Sequence, residues 1–204
     1  MSRRLAARDL ALVAVFAALI AAFGLFGAFY PFGTSVPITA QTLGVMLAGS
    51  IIGARRGALA VLVFLVLVAA GLPLLAGGRG GLGVFSGPSA GYLIGWVFGA
   101  YVVGRLIELW RRGFALVWAL IANAVGGIVV IYAFGVPVFA KVTDVSLLHA
   151  LDGAAVYLPG DLMKVVVAAV IASGVHRGYP VLLPGRDAER DGAHGNGAET
   201  AGRP

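Results

Sequence analysis

Tyr157-Leu158-Pro159-Gly160-Asp161-Leu162-Met163-Lys164 sets an acid and a base three residues apart, at the edge of an apolar run that continues from Val165 to Ala172. Pro159 suits the first turn of a helix, where its missing N–H would have no intrahelical partner in any case. On that helix Asp161 and Lys164 share a face. The acid gains from the positive end of the helix dipole, and the lysine does not. Ionisable side chains inside a membrane segment are expensive and mark substrate or ion pathways. Two readings follow: the pair contacts a ligand, or it only neutralises the start of the helix.

The elements that carry this pair belong to a membrane protein. Of 204 residues, 60% are hydrophobic and 12% charged, and the mean hydropathy is +0.96, far too apolar for a soluble domain of this length. No stretch before Pro184 lacks apolar segments, which leaves no room for a folded ATPase, and no Gly-x-x-x-x-Gly-Lys-Ser/Thr run is present. ATP, if used, is supplied by a partner. The absence of cysteine removes disulfides, thiol catalysis and cysteine-bound metals. No cofactor or metal site is expected. The net charge of +6 sits in short links between apolar runs, where it orients a chain in the bilayer. Nucleic acid is not an expected partner.

Six spans are predicted, at about residues 10–29, 41–53, 57–71, 92–109, 114–134 and 158–174. The first is too long for a signal-peptide core. Its Ala14, Ala18 and Ala22 recur every four residues, a smooth stripe suited to close helix approach, either to a partner or within the bundle. The second is short for a bilayer that asks for ~20 residues. Between the third and fourth, Gly77 to Gly91 is too rich in glycine for a stable helix, so its backbone must be covered by protein or line a cavity. Residues 135–152 read as a mixed external segment carrying Lys141, Asp144 and His149. Residues 1–183 form a single membrane domain, and the Gly- and charge-rich residues 184–204 read as a disordered cytoplasmic tail.

Placing both termini and the second and fourth links in the cytoplasm puts twelve of the fifteen basic residues on that side. Arg79, Lys141 and Lys164 remain towards the outside. The fold class is therefore an all-α integral membrane protein, a six-transmembrane-helix bundle with both termini cytoplasmic, in a cell membrane. Arg79 and Lys164 both adjoin glycine-rich or proline-broken backbone. Together with the loop before Gln41 they can line an apolar cavity with a few convergent polar groups. Arg79 and Lys164 can hold a carboxylate and Asp161 can accept N–H donors. Gln41 or Asn123 can supply amide contacts, and Tyr157 borders the same helix start. For Asn123, in mid-span, a hydrogen bond to a neighbouring helix is the first reading. The ligand this chemistry fits is a small amphipathic acid with N–H groups.

Four motifs in order carry a more specific resemblance: Val36-Pro37-Ile38-Thr39-Ala40-Gln41 through Gly49, Gly71-Leu72-Pro73 with Gly77–Gly81, Gly87-Pro88-Ser89-Ala90-Gly91-Tyr92, and Leu158-Pro159-Gly160-Asp161-Leu162-Met163-Lys164. Over about residues 8–178 the chain resembles the BioY family, biotin-specific substrate-binding components of energy-coupling-factor (ECF) transporters. The resemblance implies a six-helix bundle that binds biotin near its extracellular side under a loop lid. It also implies partners, namely a transmembrane coupling protein and a pair of cytoplasmic ATPases. Asp161 and Lys164 match family residues that contact the ligand, and Ala14, Ala18 and Ala22 match the docking face for the coupling protein. Ala40 departs from the leucine frequent there, and the resemblance carries no family role over to Arg79. Against an intramembrane enzyme, His149, His176 and His194 are scattered, with no His-Glu-x-x-His run and no Gly-x-Ser-x-Gly turn. A binding component for another vitamin and a self-sufficient carrier or channel are the remaining alternatives.

Overall fold

The structure is a computed structural model and describes residues 7–27, 36–109 and 115–179. Eight α-helices follow in order: α1 (Ala7–Gly24), α2 (Gln41–Ile52), α3 (Ala54–Ala69), α4 (Ala90–Leu109), α5 (Leu116–Ala124), α6 (Ile131–Thr143), α7 (Leu147–Ala154) and α8 (Leu158–Gly178). Among the described residues the only strand-like pairing is an isolated bridge between Leu75 and Arg79. Four stretches are long and apolar enough to cross a membrane: Ala7–Gly24, Ala90–Leu109, Leu116–Thr143 and Leu147–Gly178. Trp110, Arg111 and Arg112, which the sequence pattern suggests as interfacial anchors of the fourth span, most of the loop before Gln41 and the tail after Pro184 fall outside the described residues.

Helix α2 is short because it is internal. Its 12 residues span about 18 Å at 1.5 Å per residue, and ten of them are buried among α1, α3, α4 and α8. A helix jacketed by protein does not have to match the hydrocarbon thickness. Gly53 alone separates it from α3, which begins at Ala54 rather than Gly57.

Residues 135–152, read from the sequence as a mixed segment, are mostly helical. A π-helical turn over Val125–Val130 joins α5 to α6, and α6 runs through Pro137 to Thr143. Proline removes one amide donor, but Ile131, Gly135, Val136 and Ala140 are buried, on a helix packed against α4, and this packing keeps the helix intact. Asp144 ends α6 in the left-handed conformation (φ 55°), which a short polar side chain tolerates better than most. The Ser146 hydroxyl then caps α7 by accepting from the His149 N–H. The sequence alone reads as mixed here because Lys141, Asp144 and His149 interrupt the apolar pattern of its packed face.

At the end of the bundle opposite the start of α8, the α2–α3 elbow is held from several sides. Glu108 on α4 accepts from the Ala54 N–H at 2.8 Å. His176 Nε2 donates to the Ser50 carbonyl at 2.8 Å, and the Ser50 hydroxyl donates to the Asn123 side-chain oxygen at 3.0 Å. His176 is thus buried. Arg56 pairs with Asp9 of α1 at 2.8 Å. Gly104 of α4 lies so close that an added β-carbon would fall on the backbone of Ala54. Replacing Gly104 with alanine is expected to force α4 away from the elbow, lowering stability by about 1–3 kcal/mol. Thermal unfolding in detergent would register this as a reduced Tm, and an unchanged Tm would refute the close-packed elbow.

Candidate functional site

The site begins with the turn that opens α8. Pro159 lies in its first turn and Asp161 follows within that turn, which brings Lys164 Nζ to 2.8 Å from Asp161 Oδ1. The pair is mostly buried, with side-chain exposures of 15% for the lysine and 9% for the acid. Lys164 also donates to the Thr42 hydroxyl of α2 at 2.9 Å. Tyr132 of α6 donates to the other carboxylate oxygen, Oδ2, at 2.6 Å. Each Asp161 oxygen therefore has one partner and one lone-pair position left, and Lys164 has one of its three donors left.

Opposite this pair, the chain after α3 forms a tight hairpin. Leu75 N–H donates to the Arg79 carbonyl at 3.0 Å and Arg79 N–H to the Leu75 carbonyl at 3.2 Å. Gly77 and Gly78 make the turn at φ 79° and 69°, a region that costs other residues strain. Gln41, only 1% exposed, fastens this hairpin to α2. Its amide donates to the Leu74 carbonyl at 3.0 Å and to the Ile20 carbonyl at 3.3 Å. Its side-chain oxygen accepts from the Ala76 N–H at 3.0 Å. Arg79 then reaches the Ala76 carbonyl at 3.3 Å through Nε and the Ser89 hydroxyl at 3.4 Å through Nη1.

Between these two polar groups lies a cavity with an open mouth and a mostly apolar lining, the form usual for small-molecule sites. Asp161, Lys164, Arg79, Gln41 and Tyr157 all line it. Asn123 does not. That side chain is fully buried, accepts from Ser50 and donates to the Ala119 carbonyl at 2.8 Å, the helix-to-helix reading of its sequence position. Gln41 lines the cavity, yet its amide is occupied by main-chain groups. Tyr157 donates to the Val36 carbonyl at 2.8 Å, tying the start of α8 to the segment that leads into α2.

Sequence reasoning missed the aromatic wall formed by Tyr92, Trp96 and Tyr132. Tyr92 and Tyr132 meet edge to face, with centroids 6.0 Å apart at 87°, a favoured aromatic geometry. Thr42 and Ser89 were missed as well. A tyrosine in an apolar run was the one available signal for Tyr132, but no spacing rule links it to Asp161, 29 residues away.

Apolar helices long enough to cross a bilayer, packed around an aromatic-walled cavity whose lining holds an ion pair, give the architecture of a membrane protein with a pocket of small-molecule type, an apolar wall with few polar groups. The chain belongs to the BioY family, whose model matches residues 1–181. It is 50% identical over 184 residues to the biotin transporter BioY of Rhizobium etli, covering 88% of this chain and 98% of that relative. With the biotin transporter BioY of Rhodobacter capsulatus it shares 47% identity over 188 residues, covering 88% and 98%. The fold matches the crystal structure of the S-component for biotin from an ECF-type ABC transporter with a TM-score of 0.80. That alignment has 30% sequence identity and covers 87% of this chain and 95% of the other. The family is one of transporter components and not of enzymes, which removes the enzyme alternative.

Replacing Gln41 with leucine would leave the Ala76 N–H without its partner and release the Leu74 and Ile20 carbonyls. A buried group stripped of its partner costs about 1–3 kcal/mol. The variant is expected to unfold at a lower temperature than wild type in detergent. Equal melting temperatures would show that the hairpin is not held through this amide.

Proposed function

We propose that this chain is the biotin-binding membrane component of an ECF-type uptake transporter. It takes biotin from the extracellular side with high affinity and releases it inward when coupled to a transmembrane coupling protein and a cytoplasmic ATPase pair. Its six crossings are α1, α2, α3, α4, the joined α5–α6 and α8, with both termini in the cytoplasm. The predominance of basic residues on the links assigned to that side supports this orientation.

One observation carries the reading: a mostly buried acid–base pair in the cavity lining that still has hydrogen-bonding positions to offer. The two open lone pairs of Asp161 match the two ureido N–H groups of biotin, and the remaining Lys164 donor matches the ureido oxygen. The thioether ring fits the aromatic wall. The relatives named as biotin transporters and the S-component solved for biotin support the choice of vitamin. Tyr157 and Arg79 complete the proposed contacts. Gln41 acts through the hairpin, and Asn123 has no part in the proposed site.

Ala14, Ala18 and Ala22 are all exposed along α1, and small side chains there leave its backbone open to close approach. This supports docking of the coupling protein on that face.

Purified protein is expected to bind biotin saturably and to leave thiamine and riboflavin unbound in equilibrium titrations. Charge-assisted hydrogen bonds contribute about 1.5–3 kcal/mol, so Asp161→Asn is expected to weaken biotin about 10- to 150-fold. Lower stability with unchanged affinity would instead make the pair purely structural. A bulky residue at Ala14 or Ala18 is expected to abolish co-purification with the energising partners while biotin binding persists. Recovery of the intact complex from such a variant would count against the docking face.

A further inference from the structure

The three charged groups lining the cavity are not equivalent. Lys164 and Asp161 neutralise each other at 2.8 Å. Arg79 meets only neutral oxygens, the Ala76 carbonyl and the Ser89 hydroxyl, and no carboxylate lies within 4.0 Å of it among the described residues. Among the described residues the lining therefore carries two positive charges and one negative, a net +1. A ligand with one negative charge would balance it.

Donor geometry separates the two ends further. Among the described residues two of the five N–H donors of Arg79 are engaged, and the other three lie on a rigid planar group that fits a carboxylate with two parallel hydrogen bonds. Lys164 keeps a single donor beside an acid. A carboxylate bound there would stand next to Asp161, like charge against like charge. The guanidinium is also held in advance of binding. The Leu75–Arg79 bridge closes the hairpin that carries it, and Gln41 fastens the hairpin at Leu74 and Ala76.

We infer that Arg79 is the carboxylate anchor of the cavity, while Asp161 and Lys164 read the uncharged hydrogen-bonding head of the ligand. This assignment rests on the biotin reading and fixes the ligand's direction, with the valerate towards the 75–79 hairpin and the ureido ring towards α8. Gln41 is then a positioning residue for Arg79, without touching the ligand.

The test compares biotin with its neutral methyl ester on wild type, Arg79→Gln and Lys164→Met by equilibrium titration. Wild type is expected to prefer the acid by about 10- to 100-fold, the strength of a charge-assisted pair. Arg79→Gln is expected to weaken the acid alone and bring the ratio close to one. Lys164→Met is expected to weaken both ligands and leave the ratio unchanged. Should Arg79→Gln fail to fold, Arg79→Lys, which keeps the charge and loses the fork, is expected to give a smaller ratio than wild type. Survival of the full acid preference in the Arg79 variants, its loss in Lys164→Met, or its absence from wild type would each overturn the assignment while leaving biotin binding intact. Binding of neither ligand by folded wild type would instead overturn the biotin reading and this inference with it.

Discussion

Gln41 makes three hydrogen bonds, to the main chain of Ile20, Leu74 and Ala76, from a position almost without solvent. The next residue, Thr42, accepts from Lys164. One turn of α2 thus connects α1, the hairpin that bears Arg79 and the helix that bears Asp161. In a bilayer the backbone of such a hairpin can exist only if its polar groups find partners within the protein. The Gln41 amide supplies them. Both polar ends of the cavity are therefore referred to the same short, buried helix, and a shift of its first turn would move both.

A buried ion pair adds little to stability as such, because desolvation offsets much of the attraction. What the Asp161–Lys164 pair has is orientation. Tyr132 and Thr42 hold it from two other helices, leaving two lone-pair positions on Asp161 and one donor on Lys164 in the lining of an aromatic-walled cavity. Groups already aligned before a ligand arrives lose less entropy when it binds. The same hydrogen bonds that make burial of the charges tolerable are the ones that prepare the site.

Away from the cavity the polar groups have another role. Ser50, Asn123 and His176 connect α2, α5 and α8 to one another, and Glu108 satisfies the first amide of α3. These contacts close off backbone and side-chain groups that the low-dielectric interior would otherwise penalise. They give the bundle a rigid end opposite the open one. Asn123 belongs to this set, and a mid-span amide does not by its sequence position reveal which of the two ends it serves.

Much was legible without coordinates because the governing physics is local. Apolar runs imply helices in a membrane, residues three apart on a helix meet, and a lone arginine among outward-facing segments stands out from the bias of the others. The Asp161–Lys164 contact and the cavity-lining position of Arg79 follow from such rules, whereas the pattern alone leaves open the exposure of Ala14, Ala18 and Ala22. Tertiary packing decided the rest. It brought Tyr132 to Asp161 across 29 residues and Thr42 to Lys164 across 122. It occupied the Gln41 amide with backbone, took Asn123 out of the cavity and carried a helix through Pro137. Each of these depends on which helix faces become neighbours, and that is set by the fit of whole surfaces, which no single stretch of sequence contains.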